Sequence, residues 1–140
     1  MSALPERAIS HNPEVSLQAF EDASIDPDLF DHEAHVYVAW LYLQECELDE
    51  ALARFCAALK RLTIKLGIES KYHETITWFF MILIAERFTK PDSGDWQSFK
   101  RQNADLFATD PSIIKQHYSA DRLGSALART QFFLPDRLPL

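Results

Sequence analysis

Three histidines carry the clearest chemical potential in this chain: His32, His35 and His73. The first two are three residues apart. On a helix that spacing makes them neighbours, with Cβ atoms roughly 5–6 Å apart, close enough for two imidazoles to share one ion. His73 lies in the segment Tyr72-His73-Glu74-Thr75, at the head of a second strongly apolar pattern. Three imidazoles suit a divalent transition metal: zinc, iron or copper, with nickel also compatible. They bind only when neutral, so occupancy should fall below pH ~6.5. An open fourth position would hold water or dioxygen and support hydrolytic or oxidative chemistry on a small-molecule substrate. Glu74, Tyr72 and Tyr42 are the candidate catalytic side chains around such a centre. Glu74 would serve as base or further ligand, although it lies roughly 100° around the helix from His73. The two tyrosines would hydrogen-bond the substrate. Without metal, one histidine oriented by Glu74 or a tyrosine would act as general base.

A non-enzymatic reading competes with this one. Histidines at helix starts and on apolar faces also serve as hydrogen-bonded core or capping residues. The protein would then be an interaction module, for instance a homodimer packing through an aromatic surface. Glu33 and Glu86 add carboxylates near the same segments, but Glu86 is more than three turns from His73 and reads as an ion-pair partner. His11 and His117 read as ordinary polar residues. No nucleophile elbow, phosphate-binding glycine loop, HExxH or EF-hand pattern is present. Leu29 and Ser70 stand where a di-iron bundle would need glutamates three residues before His32 and His73.

The elements that must position these residues are helical. Asp26-Pro27 predicts a helix start, with an acceptor side chain followed by proline, and a helix running to about Cys46. Leu48, Ala51, Leu52, Phe55, Leu59, Leu62 and Leu66 recur at three- and four-residue steps and predict a second helix, closed by Gly67. Tyr72 to about Phe88 predicts a third. Its centre, WFFMILIA, is apolar all round and therefore central. Lys90 to Gly94 is a loop. Asp95 caps a fourth helix, Asp110-Pro111 opens a short fifth ending near Tyr118, and Ser119 caps a sixth from Ala120 to about Arg129. The tail is extended, with Phe132, Phe133 and Leu134 packed on the body. Residues 1–25 form an irregular arm that Phe20 docks, and residues 26–140 form one helical domain. An up-down-up order makes the first and third helices parallel, so all three histidines fall at one end of the bundle.

Composition agrees with an all-α fold. The chain has 140 residues, 3 glycines and 47% hydrophobic residues. That length suffices for a core without disulfides or a structural metal. The net charge of −7, with scattered basic residues, disfavours nucleic acid, which needs a clustered Lys/Arg footprint. The longest apolar run, Trp78 to Ala85, is shorter than the ~20 residues that span a bilayer, and the N-terminus lacks the core of a signal peptide. Cys46 and Cys56 read as buried thiols of a reducing, cytoplasmic compartment.

The segments FDHEAHVYVAWLYL, KYHETITWFFMILIAERF and ARTQFFLPD resemble those of a family of small helical bacterial proteins without an assigned activity. The resemblance covers residues 30–136 and implies a bacterial, cytoplasmic protein. It supplies no functional residue. The helical-pair pattern of residues 33–66 is not followed by a 34-residue repeat, so a tetratricopeptide array is excluded.

Overall fold

A computed structural model describes residues 15–88 and 94–140. The predicted prolines at 5 and 13, His11 and most of the loop at 90–94 lie outside the described residues. The fold is all-α. Its helices are α1 (Leu17–Glu21), α2 (His32–Glu45), α3 (Leu48–Lys65), α4 (Glu74–Phe88), α5 (Trp96–Gln102), α6 (Ile114–His117), α7 (Ala120–Leu123) and α8 (Ala126–Thr130). Three 3-10 turns, Pro27–Leu29, Glu69–Lys71 and Ala104–Leu106, punctuate them.

The three long helices form the frame. α2 is buried on nearly every side, with Ala34, Val36 to Trp40, Tyr42 and Leu43 all inside. An apolar side chain at every angle leaves no face for water, so neighbours must surround the helix. α4 packs most extensively against α2 and also meets α3 and α8. α3 shows the one-sided pattern expected of a surface helix and buries Ala51, Phe55, Ala58, Leu59 and Leu62. Gly67 ends this region at φ 71°, a left-handed conformation that costs a residue with a Cβ but not glycine. Around this frame, Trp40, Trp96 and Phe99 form an aromatic cluster joining α2 to α5.

Several predicted boundaries shift. The arm is not wholly irregular: Ser16 caps α1, and Phe20 is fully buried against Phe30, Tyr42 and Phe55. The predicted first helix is two pieces. Asp26 caps only the 3-10 turn at Pro27–Leu29, the chain leaves helical geometry at Phe30, and Asp31 caps α2 by accepting from the Ala34 amide at 2.9 Å. Two consecutive capping aspartates compete for one helix start, and the second prevails because Phe30 is drawn onto Phe20 and His35. The fifth helix does not open at Pro111; residues 109–112 form a turn, and α6 follows. The sixth divides at Gly124 into α7 and α8, because Ser119 and Ser125 each cap a separate turn. In the tail, Phe132 stacks on Trp78 at 5.0 Å and the Phe133 amide donates to Thr75 Oγ1. Leu134, by contrast, is 68% exposed: the backbone is pinned on either side of it and turns its side chain outward.

No helix among the described residues is long and apolar enough to cross a membrane.

Candidate functional site

α2, α3 and α4 do not meet everywhere. Between them lies a cavity of about 380 Å³, and His32, His35, His73 and Tyr72 all line it. Val36 and Ala39 of α2, Phe55, Leu59 and Leu62 of α3, and Ile76, Phe80, Met81 and Ile84 of α4 supply most of the wall. Among the other lining residues Pro27, Leu66 and Lys71 are exposed and Phe30 and Ile68 half-buried, which marks the mouth of the cavity. The heads of α2 and α4 therefore open on one space, as a parallel pair would place them.

Each imidazole has a defined hydrogen-bonding state, because a backbone carbonyl can only accept and so fixes a proton on its ring partner. His73 is fully engaged. Its Nε2–H donates to the Leu123 carbonyl at 2.7 Å, and its Nδ1 accepts the Ile76 amide at 3.2 Å. Its carbonyl accepts from the Thr77 amide. His73 thus performs the N-cap role for α4 that serine or aspartate usually fills, and it ties that helix to α7. No lone pair remains on this ring. His32 donates Nε2–H to the Leu106 carbonyl at 2.8 Å and sets its ring edge-on to Phe80. It is the link between α2 and the 3-10 turn at Ala104–Leu106.

His35 is different. Its Nδ1–H donates to the Asp31 carbonyl at 3.0 Å, one helical turn back. Nε2 is therefore an unprotonated acceptor, with no partner among the described residues. The ring lies against Phe30, centroids 4.1 Å apart. Burial holds its pKa down to about 4, the bond to Asp31 opposing this in part. An imidazolium in this place would lose more in hydration than the Asp31 charge returns, and His32 adds a further opposing effect. At neutral pH His35 therefore presents an unprotonated lone pair on a ring that lines a mostly apolar cavity.

The other sequence candidates are distributed differently. Tyr72 lines the cavity, but its hydroxyl donates to Glu74 Oε1 at 2.5 Å. Glu74 is not among the lining residues. Trp78 Nε1 donates to its second oxygen, and Lys60 stands 3.7 Å away. Burial first, and then the neighbouring Cys56 and Glu74, push the Tyr72 phenol far above its ordinary value. Together these groups form a polar seam joining α3 to α4, turned away from the histidines. Tyr42 is buried on another side of α2. Its hydroxyl donates to Glu21 Oε2 at 2.8 Å, an oxygen that also receives Arg54 at 3.1 Å. The Tyr42 hydroxyl, followed by Arg54, holds the Glu21 carboxyl below its ordinary value. Glu33 pairs with Lys100 at 3.0 Å, and His117 donates to the Leu138 carbonyl.

Among the described residues, no group of three or more His, Cys, Asp or Glu side chains is arranged to hold a metal ion. The occupied nitrogens of His73 give the physical reason. The sequence placed the three rings in one region, but their protons were invisible there, since the partners Leu106 and Leu123 lie 74 and 50 residues away. Lys71 was missed as a lining residue. Its segment, Glu69-Ser70-Lys71, reads as a solvent-exposed connection, and no periodic signal ties it to a pocket.

No protein-family model, curated protein or solved structure matches this chain.

Proposed function

We propose that this protein binds a small, largely apolar molecule in the cavity between α2, α3 and α4, held through a hydrogen bond donated to His35 Nε2. The observation that carries this reading is a cavity of about 380 Å³ with mostly apolar walls, on which His35 Nε2 is held as an acceptor without a partner among the described residues. Small-molecule sites typically enclose ~300–1,000 Å³, are mostly apolar, and hold a few placed polar groups that set orientation. A hydroxyl or N–H on the ligand that donates to this acceptor would gain both affinity and register. With its pKa held down to about 4, this ring is a weak base at neutral pH, so the reading is one of binding and not of proton abstraction.

The test uses 4-butylphenol and its methyl ether, which share a carbon frame and differ in the donor. A ligand that binds only the folded state raises the melting temperature in proportion to its affinity. The phenol is expected to stabilise the protein and to bind at least about fivefold more tightly than the ether, since a hydrogen bond is worth ~1 kcal/mol. His35→Phe should abolish that difference while leaving ether binding in place. Equal binding of phenol and ether by the wild type would remove His35 from the reading.

A transition-metal centre through His32, His35 and His73 is the second reading, favoured by the three rings lining one cavity. It requires His73 to release the Ile76 amide and expose Nδ1. Elemental analysis of protein purified without an affinity tag discriminates. Near-stoichiometric zinc, iron or copper, lost in His32→Ala, would favour the metal.

A further inference from the structure

We infer that the ligand is an apolar monocarboxylic acid, its tail inside the cavity and its carboxylate at the mouth beside Lys71. The inference rests on the binding reading above and adds the chemical class of the head group.

Four observations converge. Among the described residues, no aspartate or glutamate lines the cavity, and Lys71 supplies the one Lys or Arg side chain. Lys71 is exposed, and its ammonium has no ion-pair partner among the described residues. A free cation at an apolar opening is unusual on a chain of net charge −7, where acidic partners are plentiful. Glu69 is two residues away but is absent from the lining. Arg129 adds a second positive charge nearby, because its guanidinium donates to the carbonyls of Ser70 and Tyr72 on either side of Lys71.

The deeper polar atoms carry no charge that would recruit an anion inward. Thr77 Oγ1 donates to the His73 carbonyl and Thr63 Oγ1 to the Lys60 carbonyl. Their remaining lone pairs, like that of His35, can only accept. A carboxylate pushed among acceptors would lose its hydration and meet repulsion, whereas at the mouth it keeps water and gains Lys71. A cationic ligand would meet Lys71 and Arg129, with no carboxylate among the described lining residues to receive it. The interior therefore takes hydrocarbon, with room for a hydroxyl that donates to His35, and the rim takes the anion. Benzene fills an engineered cavity of ~150 Å³, so on that scale about 380 Å³ accommodates roughly ten to fifteen carbon atoms.

The experiment measures binding of decanoate, decanol and decylamine to the full chain by titration calorimetry at pH 7.5 and low salt, each below its aggregation concentration. Decanoate is expected to bind at least about fivefold more tightly than decanol, and decylamine most weakly. Lys71→Met should remove the advantage of decanoate without changing decanol. Lys71→Glu should reverse the order of decanoate and decylamine. Lys71 is exposed, so both variants should fold. Equal affinities for decanoate and decanol in the wild type, or an advantage for decanoate that survives Lys71→Met, would overturn the carboxylate assignment while leaving the cavity as a site for neutral ligands. If none of the three binds, the binding reading fails and the head-group assignment with it.

Discussion

His35 and His73 share a residue type but not a task, and the difference lies in which ring nitrogen keeps its lone pair. In His73 both nitrogens are committed, to the Ile76 amide and the Leu123 carbonyl. In His35 one nitrogen remains available as an acceptor. The depressed pKa of His35 has a consequence for stability. Its folded value, about 4, lies below the unfolded value of ~6.5. Between these pH values the unfolded chain binds the proton and the folded chain does not. The stabilisation is thus fully present above pH ~6.5 and is lost as pH falls toward 4. The full shift is discounted because the ring borders an open cavity, leaving a loss on the order of 2 kcal/mol. Urea unfolding of wild type and His35→Gln at several pH values should isolate it. The wild-type curve should fall more steeply between pH 6.5 and 4, and parallel curves would contradict the assignment. Glu21, Asp105 and Asp136, whose carboxyls are held low by their partners, lose their contributions at lower pH and are common to both proteins.

At the scale of elements, the helices are delimited by local chemistry that was partly readable. Asp95 accepting the Ser98 amide and Ser119 accepting the Arg122 amide follow directly from side chains known to cap. His73 as the cap of α4 did not, because imidazole rarely fills that position and needs the Leu123 carbonyl to set its tautomer. His73→Ala should destabilise the fold by roughly 1–3 kcal/mol, through the lost cap and an unpaired carbonyl at Leu123. His73→Asn should recover part of the cap and little of the link to Leu123. Chemical unfolding of the two variants measures the split, and equal losses would mean that the cap contributes nothing. The division of residues 120–130 into α7 and α8 has the same local origin: two serines, Ser119 and Ser125, each start a separate turn as its N-cap.

Across the whole molecule, the segment ahead of α2 is structural. Phe20 is fully buried among Phe30, Tyr42 and Phe55, and Glu21 accepts both Tyr42 and Arg54. This segment closes α2 and α3 on the side away from α4. Phe20→Ala should cost about 3–5 kcal/mol, the range for a fully buried phenylalanine, and Glu21→Gln considerably less because the pair is part-exposed. Thermal melts of both variants provide the check; a Phe20→Ala protein as stable as wild type would show that α1 does not close the core. On the opposite side, Thr75 Oγ1 donates toward the Ala128 and Gln131 carbonyls and accepts the Phe133 amide. One buried hydroxyl thereby joins α4, α8 and the tail.

Read alone, the sequence determined the helical class, the three long helices, the burial of α4 at its centre and the neighbouring placement of His32 and His35 on one helix. Each of these depends on periodicity or on short-range capping, and such signals are complete within a few turns of chain. Tertiary structure alone decided which imidazole nitrogens find partners, that Tyr42 and Glu74 serve seams away from the cavity, and that Lys71 stands at its mouth without an ion-pair partner among the described residues. Those outcomes depend on partners tens of residues distant and on the space left where three helices fail to close. Neither the position of a backbone carbonyl from another element nor the volume of a gap has any representation in residue spacing.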